Sequence, residues 1–157
     1  MTKSRARFSH PNPFMSAFTM LAICFVIATC LSAPLKAQTV FEPPRGSAER
    51  KEVLDAVRPL MEAHLHAPVE FVINWMRVGN SWAFVGVSPQ RPGGGAIDPR
   101  GTFLADQAEY MDGLHTYALL RHQYGRWNIV DFAIGPTDAF WDGSALYSQV
   151  PQGLLPH

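Results

Sequence analysis

The pair of side chains best suited to chemistry in this sequence is an imidazole and a carboxylate. His115 and Asp131 fall in two neighbouring segments that both have the composition of strands. A carboxylate that orients an imidazole can turn it into a general base. The sequence places no serine or cysteine nucleophile beside the pair. His115, Asp131 and the nearby Asp112 are therefore candidate acid–base residues, for which a structural hydrogen bond is the simpler expectation.

Other polar residues match metal or phosphate sites poorly. His64 and His66 are two positions apart, so they point to different sides of a helix, although an extended segment would bring them to one face. The glycine run after Arg91 lacks the Lys-Ser/Thr of a phosphate-binding loop, and we interpret it as part of a flexible or partner-contacting loop. We expect no metal site and no cofactor, because the loop carboxylates lack the alternating spacing of a calcium loop: Asp98, Asp106, Glu109 and Asp112.

Aromatic residues are the other candidates for a functional site. The chain has four tryptophans, three of which fall in or beside predicted strands. Such side chains can fill a small core, or they can line a concave pocket for an apolar or planar ligand. The candidate binding residues are Trp75, Trp82, Trp127 and Tyr117.

Charge divides the chain into two parts. Residues 1–37 carry four basic residues and no acidic one, so the remaining chain holds nine basic and thirteen acidic residues, a net charge of −4. An acidic chain without a basic stripe cannot neutralise phosphates, which disfavours nucleic-acid binding. Both cysteines, Cys24 and Cys30, lie in the first part. The second part therefore has no disulfide, no cysteine-ligated zinc and no thiol nucleophile.

The N-terminal segment has the plan of a signal peptide. A basic stretch precedes an unbroken apolar run over 20–31, and Ala37 supplies a small residue at the expected cleavage point. The mature protein would then be periplasmic or extracellular. Two alternatives keep the domain exported: an uncleaved membrane anchor, which alone would give membrane contact, and a lipoprotein with a lipid on Cys30.

Glycine and proline residues, together with the hydrophobic periodicity, predict the secondary-structure elements that position these residues. We expect a linker over 38–46, a domain over 47–150 and a flexible tail over 151–157. A helix should run from 47 to about 66, with Pro59 kinking or dividing it. Strands are expected over 69–78, 81–87, 114–122 and 127–134, with a long loop over 88–101 and one face of the first strand formed by Val69, Phe71, Ile73 and Trp75. This order predicts an α+β fold, an N-terminal helix packed on a curved antiparallel sheet of about four strands.

The pattern of strand-borne tryptophans also resembles a known group. The predicted helix, the segments 69–77, 81–85 and 117–121, and the Gly125-Arg126-Trp127 turn look like those of small secreted bacterial domains of uncharacterised function. Their arrangement is similar to cystatin-like and nuclear-transport-factor-2-like folds, which include enzymes, inhibitors and binding modules. We expect an exported, non-catalytic domain that binds a protein or a small ligand. The alternatives are a small pocket enzyme that uses His115 and Asp131, or a structural component of the cell envelope.

Overall fold

A computed structural model describes residues 39–156. The segment expected to be a signal peptide, residues 1–37, lies outside the described residues, so the structure does not bear on its cleavage or its role. The described chain has an α+β fold with one α-helix and a four-stranded antiparallel sheet, which confirms the predicted class. No helix among the described residues is both long enough and apolar enough to span a membrane.

Helix α1 spans Ala48–Leu65 and begins well inside the chain, not at its N-terminus. The Ser47 side chain caps it by accepting a hydrogen bond from the Arg50 amide, at 3.2 Å. The helix is not divided at Pro59, which lies on its exposed side. The carbonyl that loses its partner there can bond to water instead. The buried face of α1 repeats with helical period and consists of Val53, Val57, Met61 and Leu65.

The sheet is a simple meander in the order β1-β2-β3-β4, with every neighbouring pair antiparallel. Its strands are β1 (Glu70–Gly79), β2 (Trp82–Gln90), β3 (Thr116–Gln123) and β4 (Arg126–Ile134). Tight turns join β1 to β2 and β3 to β4, as the sequence predicts. The residues before α1, expected to form a linker, add a single bridge between Phe41 and Val78 at the outer edge of β1.

A bulge at Asn74 changes which residues of β1 share a face. The register shifts between Ile73, opposite Val87, and Trp75, opposite Gly86. A bulge adds one unpaired residue, so the side chains beyond it change sides relative to strict alternation. The expectation that Trp75 shares a face with Ile73 is therefore wrong. Ile73 packs towards the helix, whereas Trp75 packs on the opposite face of the sheet.

The two faces of the sheet have separate apolar clusters. One cluster joins the buried face of α1 to side chains from all four strands, among them Val85, Ala118 and Trp127. The second cluster lies on the other face and is completed by the chain that follows β4. It contains Trp82, Phe84, Leu119, Trp141, Tyr147 and Leu154.

The C-terminal segment forms this second cover. We use that term for residues 137–156, which contain one turn of 3₁₀ helix at Tyr147–Gln149. Residues 151–157 were expected to fray, yet Leu154 is fully buried and its carbonyl accepts a hydrogen bond from the Trp75 indole N–H, at 2.9 Å. The free energy gained by burying the leucine against an otherwise uncovered apolar sheet exceeds the conformational entropy that the tail loses when it becomes ordered.

This packing predicts a clear loss of stability on truncating Leu154. Leu154→Ala should lower the free energy of unfolding by about 2–5 kcal/mol, because it removes a fully buried side chain and leaves a cavity. Gln152→Ala, at an exposed position two residues away, should change it by less than about 0.5 kcal/mol. Urea denaturation of the chain from Gln38 onward measures both. Equal, small changes in the two variants would contradict the packing described here.

Candidate functional site

The structure brings three polar side chains together at one end of the sheet. Asn74 lies at the bulge of β1, Ser88 near the end of β2, and His115 immediately before β3. The Asn74 Nδ2 atom is 2.8 Å from Ser88 Oγ and 2.9 Å from His115 Nδ1. Ser88 Oγ is 3.4 Å from the same His115 nitrogen. We call Asn74, Ser88 and His115 the polar cluster.

The hydrogen bond from Asn74 indicates the protonation of the imidazole. An amide N–H can only donate, so Nδ1 of His115 accepts and the ring proton lies on Nε2. Nε2 is buried and has no hydrogen-bond partner among the described residues. Burial lowers the pKa of His115, and the negative charge of Asp112 opposes this only in part. The ring is therefore neutral at pH 7.

Ser88 is a hydroxyl residue beside His115 that the sequence did not predict. Strand pairing over a separation of 27 residues brings it there. A Ser–His dyad needs the imidazole lone pair free to take the serine proton. Here the Asn74 amide already donates to that nitrogen, more closely than Ser88 approaches it. The polar cluster in this arrangement is a hydrogen-bond network that joins β1, β2 and the start of β3.

Asp131 has other partners and does not meet His115. Its Oδ2 atom accepts a hydrogen bond from the Tyr147 hydroxyl at 3.0 Å, and its Oδ1 atom accepts from the Phe132 amide at 2.9 Å. Asp131 lies opposite Leu119, whereas the carbonyl of His115 bonds to the Gly135 amide. The two residues are thus separated by four positions along the sheet, about 13 Å.

The aromatic candidates are divided between the faces of the sheet. Trp127 packs in the helix-side cluster, and its ring lies 5.0 Å from that of His122. Tyr117, Trp75 and Trp82 belong to the opposite cluster, beneath the C-terminal segment. Each of these two tryptophans makes a cation–π contact. The Arg77 guanidinium lies 4.5 Å from the centroid of Trp75, and the Arg121 guanidinium lies 4.3 Å from that of Trp82.

Tyr117 shows how tightly the second face is filled. Its ring stacks on Phe84 at 5.6 Å and meets Trp141 edge-on at 5.0 Å. Gly86 makes room for it, since a Cβ atom at that position would lie 2.7 Å from the tyrosine ring. The four aromatic candidates therefore do not line one pocket; Trp82 belongs to the buried cluster beneath the C-terminal segment, and Trp75 and Tyr117, partly buried, pack against it.

An open cleft lies at the other end of the sheet, beside the β1–β2 turn. It has a volume of about 560 Å³ and an apolar wall made by Phe41, Val78 and Trp127. Glu49 and Glu52 of α1 stand on one side of it and His122 on another. Phe41, which lines this cleft, was not a candidate from the sequence, because the prolines and glycine of its segment predict an exposed linker. The two adjacent apolar residues Val40 and Phe41 were the only signal in that segment.

Within residues 39–156, no three His, Cys, Asp or Glu side chains are placed to hold one ion. No protein-family model, curated protein or solved structure matches the chain. The resemblance to cystatin-like and nuclear-transport-factor-2-like folds therefore assigns no role to any residue.

The buried imidazole predicts a pH dependence of stability. In the unfolded chain His115 takes up a proton near pH 6.5, whereas its lowered pKa keeps it neutral to lower pH in the folded protein. Its contribution to stability is therefore complete above about pH 6.5 and is lost as the pH falls below that value. Urea midpoints between pH 7.5 and 5.0 should fall less steeply in His115→Gln than in the wild-type chain. Ser88→Ala, which keeps the imidazole, should retain the wild-type slope; a slope unchanged in His115→Gln would contradict the prediction.

A structural role for Asp131 predicts coupling to Tyr147. Asp131→Asn and Tyr147→Phe should each destabilise the domain, because each weakens the bond between β4 and the C-terminal segment. A double-mutant cycle should give a coupling free energy of about 1–2 kcal/mol, as expected for a hydrogen bond to a charged group. Pairing Asp131→Asn with Gln152→Ala should give additive effects. Additivity in the first cycle would show that the bond does not stabilise the fold.

Proposed function

We propose that this protein is an exported domain that binds a partner and performs no catalysis of its own. The observation that carries the proposal is that the chain covers both faces of its own sheet. Helix α1 fills one face and the C-terminal segment fills the other. Ligand-binding enzymes of this size place their polar groups at the bottom of a concave pocket. Within residues 39–156, the space between the layers is occupied by apolar side chains instead.

The positions of the candidate acid–base residues favour the same conclusion. His115 is hydrogen-bonded to Asn74, and Asp131 is hydrogen-bonded to Tyr147, so each has a structural partner. The alternative of a small pocket enzyme would need these two side chains to meet at a substrate. Their separation along the sheet supports binding over acid–base catalysis, and a role in an envelope assembly is one form that such binding would take.

Export is supported by the sequence before the domain. Basic residues, an apolar run and Ala37 follow one another in the order of a signal peptide. The chain from Gln38 onward carries a net charge of −4 and no cysteine, so it needs no reducing compartment. Its fold also holds together without a disulfide, through the two clusters on either side of the sheet.

Cell fractionation of the full chain tests the proposed export. We expect the protein in the periplasmic or extracellular fraction with its N-terminus at or near Gln38, measured by intact-mass spectrometry. A control variant with Ile23→Arg and Ile27→Arg interrupts the apolar run and should stay in the cytosol at full length. The wild-type chain in the cytosol with its original N-terminus would refute export. Full-length protein in the membrane fraction, with the domain open to external protease, would identify the anchored alternative.

A further inference from the structure

The long connection between β2 and β3 is fixed to the rest of the domain at several points. At its start, the Arg91 guanidinium donates to the carbonyl of Leu65, the last residue of α1, at 2.8 Å, and to that of Ala67, just after the helix, at 3.2 Å. The Phe103 amide donates to the His64 carbonyl at 3.2 Å. Near its end, the Asp112 amide donates to Gly135, at 3.0 Å. The connection is thus a held loop, which can present side chains in fixed positions.

Two aromatic side chains of this loop point outward while their neighbours pack inward. Phe103 is 72% exposed and Tyr110 is 75% exposed, whereas Leu104 is 5% exposed within the helix-side cluster. Met111 also packs against that cluster. The Phe103 ring rests on the His66 imidazole, with 3.5 Å between ring centroids. Large aromatic side chains that are held in place and left uncovered mark interaction surfaces.

The charged groups of the loop are mostly acidic. Asp98 and Arg100 satisfy each other in an ion pair of 3.0 Å. Asp106 and Glu109 lie on the same stretch as the aromatics, are exposed, and take part in no ion pair of the described chain. We call Phe103, Asp106, Glu109 and Tyr110 the loop surface. Its exposed ionic groups are therefore carboxylates, set among aromatic rings.

We propose that the loop surface docks a basic protein partner, whose Lys or Arg side chains meet Asp106 and Glu109 and whose apolar groups cover Phe103 and Tyr110. The inference rests on the proposed binding function and names its surface and partner class. Charge complementarity selects this occupant. Nucleic acids and anionic lipids would be repelled by the same carboxylates. A two-fold contact that paired the loop surface with its own equivalent would also be repulsive.

Site-specific photo-crosslinking in intact cells tests this assignment with the full chain. Benzoylphenylalanine replaces Phe103 or Tyr110, and the crosslinked peptide is mapped by mass spectrometry. Tyr124, 96% exposed in the turn between β3 and β4, is the matched control for an exposed aromatic position. We expect a crosslinked product from positions 103 and 110 but not from 124. The mapped partner peptide should contain Lys or Arg next to an apolar residue.

Charge neutralisation then tests the role of the carboxylates. The double variant Asp106→Asn with Glu109→Gln should lower the yield of crosslink from position 110 by about three- to ten-fold, because it removes both attractive charges. Asp138→Asn with Asp142→Asn makes the same change of net charge at exposed sites outside the loop and should leave the yield unchanged. Equal loss in both double variants would show that only net charge matters and would overturn the proposed surface.

The remaining outcomes separate this inference from the proposed function. A product that maps to a second copy of this chain, to a lipid or to an acidic peptide refutes the basic partner. Crosslinking from position 124 as strong as from 103 refutes the loop surface. Benzoylphenylalanine in place of Phe41, at the open cleft, distinguishes a wrong surface from a wrong function. A partner captured only at position 41 refutes the loop surface but keeps the proposed binding function. No product from any of these positions refutes both.

Discussion

The structure depends on a strand that is buried on both of its faces. Six successive residues of β2, from Trp82 to Val87, are buried, so the side chains pointing to each side of the sheet need a cover. Helix α1 provides one cover, and the 18 residues of its length carry the apolar stripe that this requires. The C-terminal segment provides the other. Because neither cover is large, both must be in place for the sheet to be shielded from water.

Polar contacts determine how the C-terminal segment lies on the sheet. Apolar burial drives the contact but has no direction, so it would tolerate several placements of a short irregular chain. The bond from the Trp75 indole to the Leu154 carbonyl fixes one end. The bond from Tyr147 to Asp131 fixes a point near the middle, and burial together with the charge of Asp131 raises the pKa of Tyr147 far above its ordinary range. The phenol therefore stays protonated and keeps donating.

The regular elements were predictable because their patterns are local. Helical spacing marked α1, and turn residues such as Asn80 and Gly125 separated the strands. The bulge at Asn74 was not predictable, since strict alternation fits the residues on both sides of it equally well. A continuous apolar run such as that of β2 is typical of burial on two faces, but we did not predict such burial, and the run does not indicate that the chain after β4 covers the second face. Ser88 and His115 meet only through pairing of distant strands, so their contact had no local signal.

The same covering of the sheet limits where the proposed partner can bind. The central strands β2 and β3 use most of their apolar side chains in packing, which favours recognition at edges, turns and loops. In the connection from β2 to β3, Leu104 and Met111 pack inward and hold the loop, whereas Phe103, which contacts His66, and Tyr110 both stay largely exposed. The fold would lose little if both were polar, because neither contributes a buried side chain to the two clusters. In the proposed docking, a partner would cover both rings, and Asp106 and Glu109 would favour a basic one.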